Sequence, residues 1–63
     1  MNDQDTINQA YADSLKHFYD VLFQAFLVAA QDQAAQEQAI QRFTAGVALA
    51  RKVRDAALGA IPG

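Results

Sequence analysis

The sequence predicts an all-α fold, and three observations predict it. No proline interrupts the stretch from Thr6 to Leu58, and Gly46 is the only glycine within it. Alanine and glutamine, both good helix formers, dominate its composition. Apolar residues recur at steps of three and four, and no run alternates apolar with polar residues as a half-buried strand would.

The first helix is expected from about residue 6 to residue 30. Thr6, with Gln9 three positions on, has the spacing of a capping box, and Asp3 and Asp5 add favourable charge at that terminus. Ile7, Tyr11, Leu15, Phe18, Leu22, Ala25 and Ala29 then draw one stripe along the helix. Tyr19, Phe23, Phe26 and Leu27 lie beside that stripe and widen the apolar face to about half the circumference. A bend is expected at about 31–33, where Asp32 is a good N-cap residue although no glycine or proline enforces a turn. The second helix then runs to about residue 58, with Ile40, Phe43, Val47, Ala50, Val53, Ala57 and Leu58 as its apolar positions. Gly59 and Pro62 read as its stop signal.

Large side chains load the first helix and small ones the second, notably Ala39, Gly46, Ala50 and Ala57. Such complementary volumes let two helices approach closely. Folding back at Asp32 makes facing residue numbers sum to about 64. That register sets Phe18 over Gly46, Leu15 over Leu49, Leu22 near Phe43, Tyr11 near Val53 and Ile7 near Ala57. The expectation is one domain over 1–63, an antiparallel hairpin of helices roughly 38 Å long. The rival is one continuous helix in a coiled coil; against it, the stripe drifts and broadens where a coiled coil holds strict heptads.

Sixty-three residues bury too little surface for a comfortable isolated core. Cysteine is absent, which removes disulfides and thiolate metal sites, and one histidine builds no metal centre alone. Oligomerisation is the remaining remedy. Full burial of Tyr19, Phe23, Phe26 and Leu27 is worth on the order of 6–10 kcal/mol. These four are therefore the expected interface of a homodimer, closing a four-helix bundle. The covering surface could instead be another protein's helix, as in an adaptor or a co-chaperone-like subunit. No secretory signal is visible, and the apolar run from Val21 to Ala30 is half the length of a membrane span, so a soluble cytoplasmic protein is expected.

Catalytic chemistry finds no support: no nucleophile–base pair, phosphate loop or repeated carboxylate motif occurs, and no cofactor or metal is expected. Asp13, His17 and Asp20 share a helix face, but a solvated surface with a Lys16–Asp20 pair explains them. Arg51, Lys52 and Arg54 are the candidate phosphate contacts if nucleic acid is the partner. The net charge of −2 and the lack of interleaved aromatics favour a plainer role, compensation of the helix terminus with an Arg51–Asp55 pair. In size and plan, two helices of equal length around a polar bend, the chain resembles the small plasmid-encoded RNA-binding hairpins of the Rop type. That resemblance implies a dimeric bundle with RNA contacts on the first helix, which in this chain is the acidic one.

Overall fold

A computed structural model describes residues 2–62 as two helices, α1 (Asp3–Ala29) and α2 (Gln33–Ala60), packed as an antiparallel hairpin. The continuous helix is thereby excluded. The hairpin is a thin slab, 48 × 18 × 7 Å along its principal axes.

α1 begins three residues before the expected start. Asn2 is its cap, with extended backbone and a side-chain oxygen that accepts from the Asp5 amide at 2.8 Å. Asn2 is as good a cap as Thr6, and it allows one further turn with Asp3 and Asp5 at the positive end of the helix dipole. Thr6 is therefore helical: its hydroxyl and its amide both donate to the Asn2 carbonyl, and the Gln9 side chain donates to Asp13 and does not accept from the Thr6 amide. The capping box at Thr6 does not form.

The bend is built without glycine. Ala30 has φ 53° and ψ −108°, and the Asp32 amide closes the turn on the Ala29 carbonyl at 2.9 Å. Those angles match the first central position of a type II′ turn, a conformation that favours glycine. An alanine there stores about 1–3 kcal/mol of strain. Asp32 caps α2 as expected, its carboxylate accepting from the Ala35 amide at 3.2 Å. The Gln36 side chain donates to the otherwise free Ala30 carbonyl, tying the turn to the first turns of α2.

α2 ends at Ala60, two residues beyond the expected Leu58, with Gly59 still inside the helix. Proline explains this. Pro62 forces extended backbone on the residue before it, and Ile61 is the extended cap. No break is needed at Gly59.

The predicted register holds at its centre. A Cβ built on Gly46 would stand 3.0 Å from Phe18 Cε1 and 3.2 Å from Cδ1 and Cζ, so the Phe18 ring lies directly on the glycine backbone. Leu49 and Val53 depart from it. Both are level with their expected partners, Leu15 and Tyr11, yet they are 62% and 58% exposed. Residue sums fix height along the axis but not rotation, and each residue sits about 60° round α2 from the Gly46–Ala50–Ala57 line that forms the seam. Two stacked helices cannot enclose much. Ala39 is the sole buried apolar residue among those described, and no large side chain is fully buried.

Candidate interaction surface

A slab two helices wide has two broad faces, and the described residues make both of them apolar. On one face a groove runs between Tyr11, Leu15 and Tyr19 of α1 and Phe43, Val47 and Arg51 of α2. Phe23 and Phe26 continue it along α1 at steps of four and three from Tyr19, and Ile40 lies two turns before Val47 on α2. Tyr19, Phe23 and Leu27 are exposed, at 61%, 52% and 61%, whereas Phe26 is half-buried. The four residues singled out from the sequence thus form one strip, with Leu27 at its outer rim.

Each of these side chains already packs part of its surface against the hairpin, which lowers the gain available from a partner. Burying a whole large apolar side chain yields about 1.5–3 kcal/mol, so covering the remaining half yields ~1 kcal/mol apiece. Ile40, 46% exposed, adds a similar amount. The strip still carries several kcal/mol of unused burial, a large fraction of a small domain's stability.

The opposite face was not legible in the sequence. Val21, Val28, Leu49 and Val53 stand exposed there, around grooves lined by Ala25, Ala39, Gly46 and Ala50. Val21 and Val28 are seven residues apart, so they form a narrow flank of their own on α1. The exposed large side chains of this face are aliphatic, and Arg42 crosses its bend half. The first face differs in presenting the aromatic rings of Tyr19 and Phe23 among its exposed side chains.

The basic end of α2 is partly committed inside the hairpin. The Arg54 guanidinium lies 4.4 Å above the centroid of the Tyr11 ring, and its Nε is 3.0 Å from Asp55 Oδ1. Arg51 Nε donates to the Tyr11 hydroxyl at 3.3 Å. Two of the three candidate phosphate contacts therefore clamp α1 to α2. Cation–π stacking at a partly exposed site contributes about 0.5–1 kcal/mol, and the Arg54–Asp55 pair at most about as much. Lys52 is exposed and points away from this cluster, about 100° round the helix from Arg51. Asp55 pairs with Arg54, not with Arg51 as the spacing suggested, because stacking on Tyr11 holds Arg54 beside it.

His17 is exposed beside Phe18, with ring centroids 6.0 Å apart, and Asp13 is engaged by Gln9. Among the described residues, no three of His, Cys, Asp and Glu come together as a metal site, and the one ion pair is Arg54–Asp55, without the Lys16–Asp20 pair. No described helix is long and apolar enough to cross a membrane. Comparison with known proteins finds no matching family model, and no curated protein or solved structure matches the chain at a significant level.

Proposed function

We propose that this chain is a non-enzymatic interaction protein that acts by pairing with a second copy of itself into a four-helix bundle. The observation that carries this reading is the lack of any fully buried large side chain among the described residues of a hairpin whose helices are nonetheless 27 and 28 residues long. Helices of that length gain most of their stability from tertiary burial of an apolar face. One hairpin supplies a single seam, and the aromatic strip of Tyr19, Phe23, Phe26 and Leu27 supplies a second face to bury. Exposed contiguous apolar surface of this kind marks interaction sites in small proteins. The commitment of Arg51 and Arg54 to Tyr11 argues against phosphate binding as the primary role of the basic cluster.

The experiment is a charge placed in the strip. Phe23→Asp puts an uncompensated carboxylate where a partner surface would cover it, whereas Lys52→Glu changes charge away from the strip. Sedimentation equilibrium of the wild type and the Lys52→Glu variant should give twice the chain mass, with Phe23→Asp shifted toward the chain mass. A wild type that sediments as a folded single chain, or a Phe23→Asp variant that dimerises as well as wild type, overturns the proposal.

A further inference from the structure

The bend carries the strain of the hairpin, yet nothing in its sequence requires a turn. Ala30 alone among the described residues has positive φ, and no glycine or proline stands at 30–32. Alanine and glutamine there are good helix formers, and aspartate is tolerated in a helix. The seam also crosses the bend in phase. A line of half-buried side chains runs down α1 through Leu15, Phe18, Leu22, Ala25 and Ala29, at steps of three, four, three and four. A second line, buried or half-buried, runs down α2 through Gln36, Ala39, Phe43, Gly46 and Ala50 at the same steps. Ala29 and Gln36 are themselves seven residues apart. With residues 30–32 helical, the two lines would join into one stripe with the 3.5-residue repeat that keeps long helices in contact. Tyr19, Phe23 and Leu27, which broaden the apolar face, stand beside this stripe and not in it.

The stripe is also its own complement. Numbers facing each other across the seam sum to about 64, a register fixed by the Phe18 ring on Gly46. Two unbroken chains laid antiparallel in that register repeat the seam twice, with Phe18 of each chain on Gly46 of the other. We infer that the bend is a hinge for exchange: α1 of one chain leaves its own α2 and packs on α2 of a second copy, the chain running straight through residues 30–32. A short hinge under strain invites such exchange, and the exchanged dimer is accessible because it reuses the contacts of the closed form. The exchange uses the seam and not the aromatic strip. It therefore goes beyond the pairing of hairpins proposed above and stands independently of it.

Two residues of the bend act in opposite directions. Asp32 holds the hairpin closed, because its carboxylate caps α2 by accepting from the Ala35 amide at 3.2 Å. In the exchanged pair that cap is lost, and the two copies of Asp32 meet at the two-fold axis, like charge beside like charge. Ala30 favours opening, since its positive φ is relieved once the residue becomes helical. Mass action adds concentration to this balance, because only the exchanged form needs a second chain.

The chain has no cysteine, so two introduced thiols can carry nitroxides. His17→Cys and Ala45→Cys use exposed positions, each one residue before the Phe18–Gly46 contact and so on the same broad face. Doubly labelled chain refolded with a large excess of unlabelled chain reports distances within one chain only. Across helices packed about 8–10 Å apart, dipolar electron paramagnetic resonance should read below about 25 Å for the hairpin. Along an unbroken helix the same labels stand roughly 42 Å apart, at 1.5 Å per residue. After refolding at millimolar concentration, the wild type should show the long distance in part of a sample of dimeric mass, and dilution should remove it. Asp32→Ala should raise the long-distance fraction. Ala30→Gly should shift the ratio of exchanged to closed chain down by roughly tenfold or more, since glycine both relaxes the turn and weakens an unbroken helix. Short distances alone in the wild type overturn the exchange; with a dimeric mass they leave the pairing of hairpins standing. A long distance at single-chain mass also overturns it, because the chain has then opened without exchanging. A long-distance fraction that neither substitution moves overturns the bend as its control.

Discussion

Gly46 is the position where the seam is tightest, and its substitution has a magnitude that follows from the contact. A Cβ there would meet the Phe18 ring at 3.0 Å and 3.2 Å, inside ordinary van der Waals separation. Phe18 is only half-buried, so its ring can give way by the few tenths of an ångström that a methyl group needs. Gly46→Ala also gains about 1 kcal/mol of helix propensity, and the two effects nearly cancel, leaving stability within about 1 kcal/mol of wild type. Gly46→Leu is different, because its branched end requires the volume that the ring occupies. Overpacking costs about 1–3 kcal/mol, and eviction of Phe18 loses about 1 kcal/mol more of its burial, against a propensity gain of ~0.8 kcal/mol. The net expectation is a loss of about 2 kcal/mol. Urea denaturation followed by circular dichroism, at one fixed protein concentration, should show a lower midpoint for Gly46→Leu and little change for Gly46→Ala. Phe18→Ala should be less harmful in the Gly46→Leu background than in the wild type, since the leucine fills the vacated space. Equal midpoints for wild type and Gly46→Leu would refute the register, because a position covered by the Phe18 ring cannot be indifferent to four added carbons.

Three further substitutions test the turn and the basic cluster. Ala30→Gly removes the positive-φ strain at the bend and should stabilise by about 1 kcal/mol in the same urea assay, where a loss would contradict the II′ geometry. Asp32→Ala removes the cap on the Ala35 amide and should cost about 0.5–2 kcal/mol, whereas a gain would fit a continuous helix. Replacing Arg51, Lys52 and Arg54 together by glutamine should lower thermal stability by about 0.3–1 kcal/mol per charge, with Arg54→Gln alone accounting for the largest share through Tyr11. If the cluster binds phosphates instead, the wild type should retain RNA or DNA at physiological salt, and the triple variant should lose that binding with its fold intact.

Much of the architecture was legible because its signals are local and redundant. Asp32 followed by a helical pattern placed the bend, and the Phe18–Gly46 complementarity placed the register within one contact. The termini were harder to place because the sequence offers competing signals. Asn2 and Thr6 are both good caps, and the longer helix wins; Gly59 and Pro62 are both stops, and only proline is strict. The exposure of Leu49 and Val53 was hidden because register arithmetic carries height and not rotation. Tyr11 beneath Arg54 did have a signal, since their numbers sum to 65 and place them level, but a basic residue near a helix end reads first as charge compensation. Tyr19, Phe23, Phe26 and Leu27 were legible from spacing along α1 alone, and the face opposite them was not, because Val21 and Val28 stand on α1 and Leu49 and Val53 on α2.

The central claim is that this hairpin is completed by a second copy of itself. It is tested most directly by the thermal unfolding of the wild-type chain over a range of concentrations from micromolar to millimolar, with mass measured by sedimentation on the same samples. Mass action couples the stability of a dimer to protomer concentration. The account predicts a dimeric mass and a Tm that climbs steadily with concentration. A folded single chain with the same Tm throughout that range would contradict it.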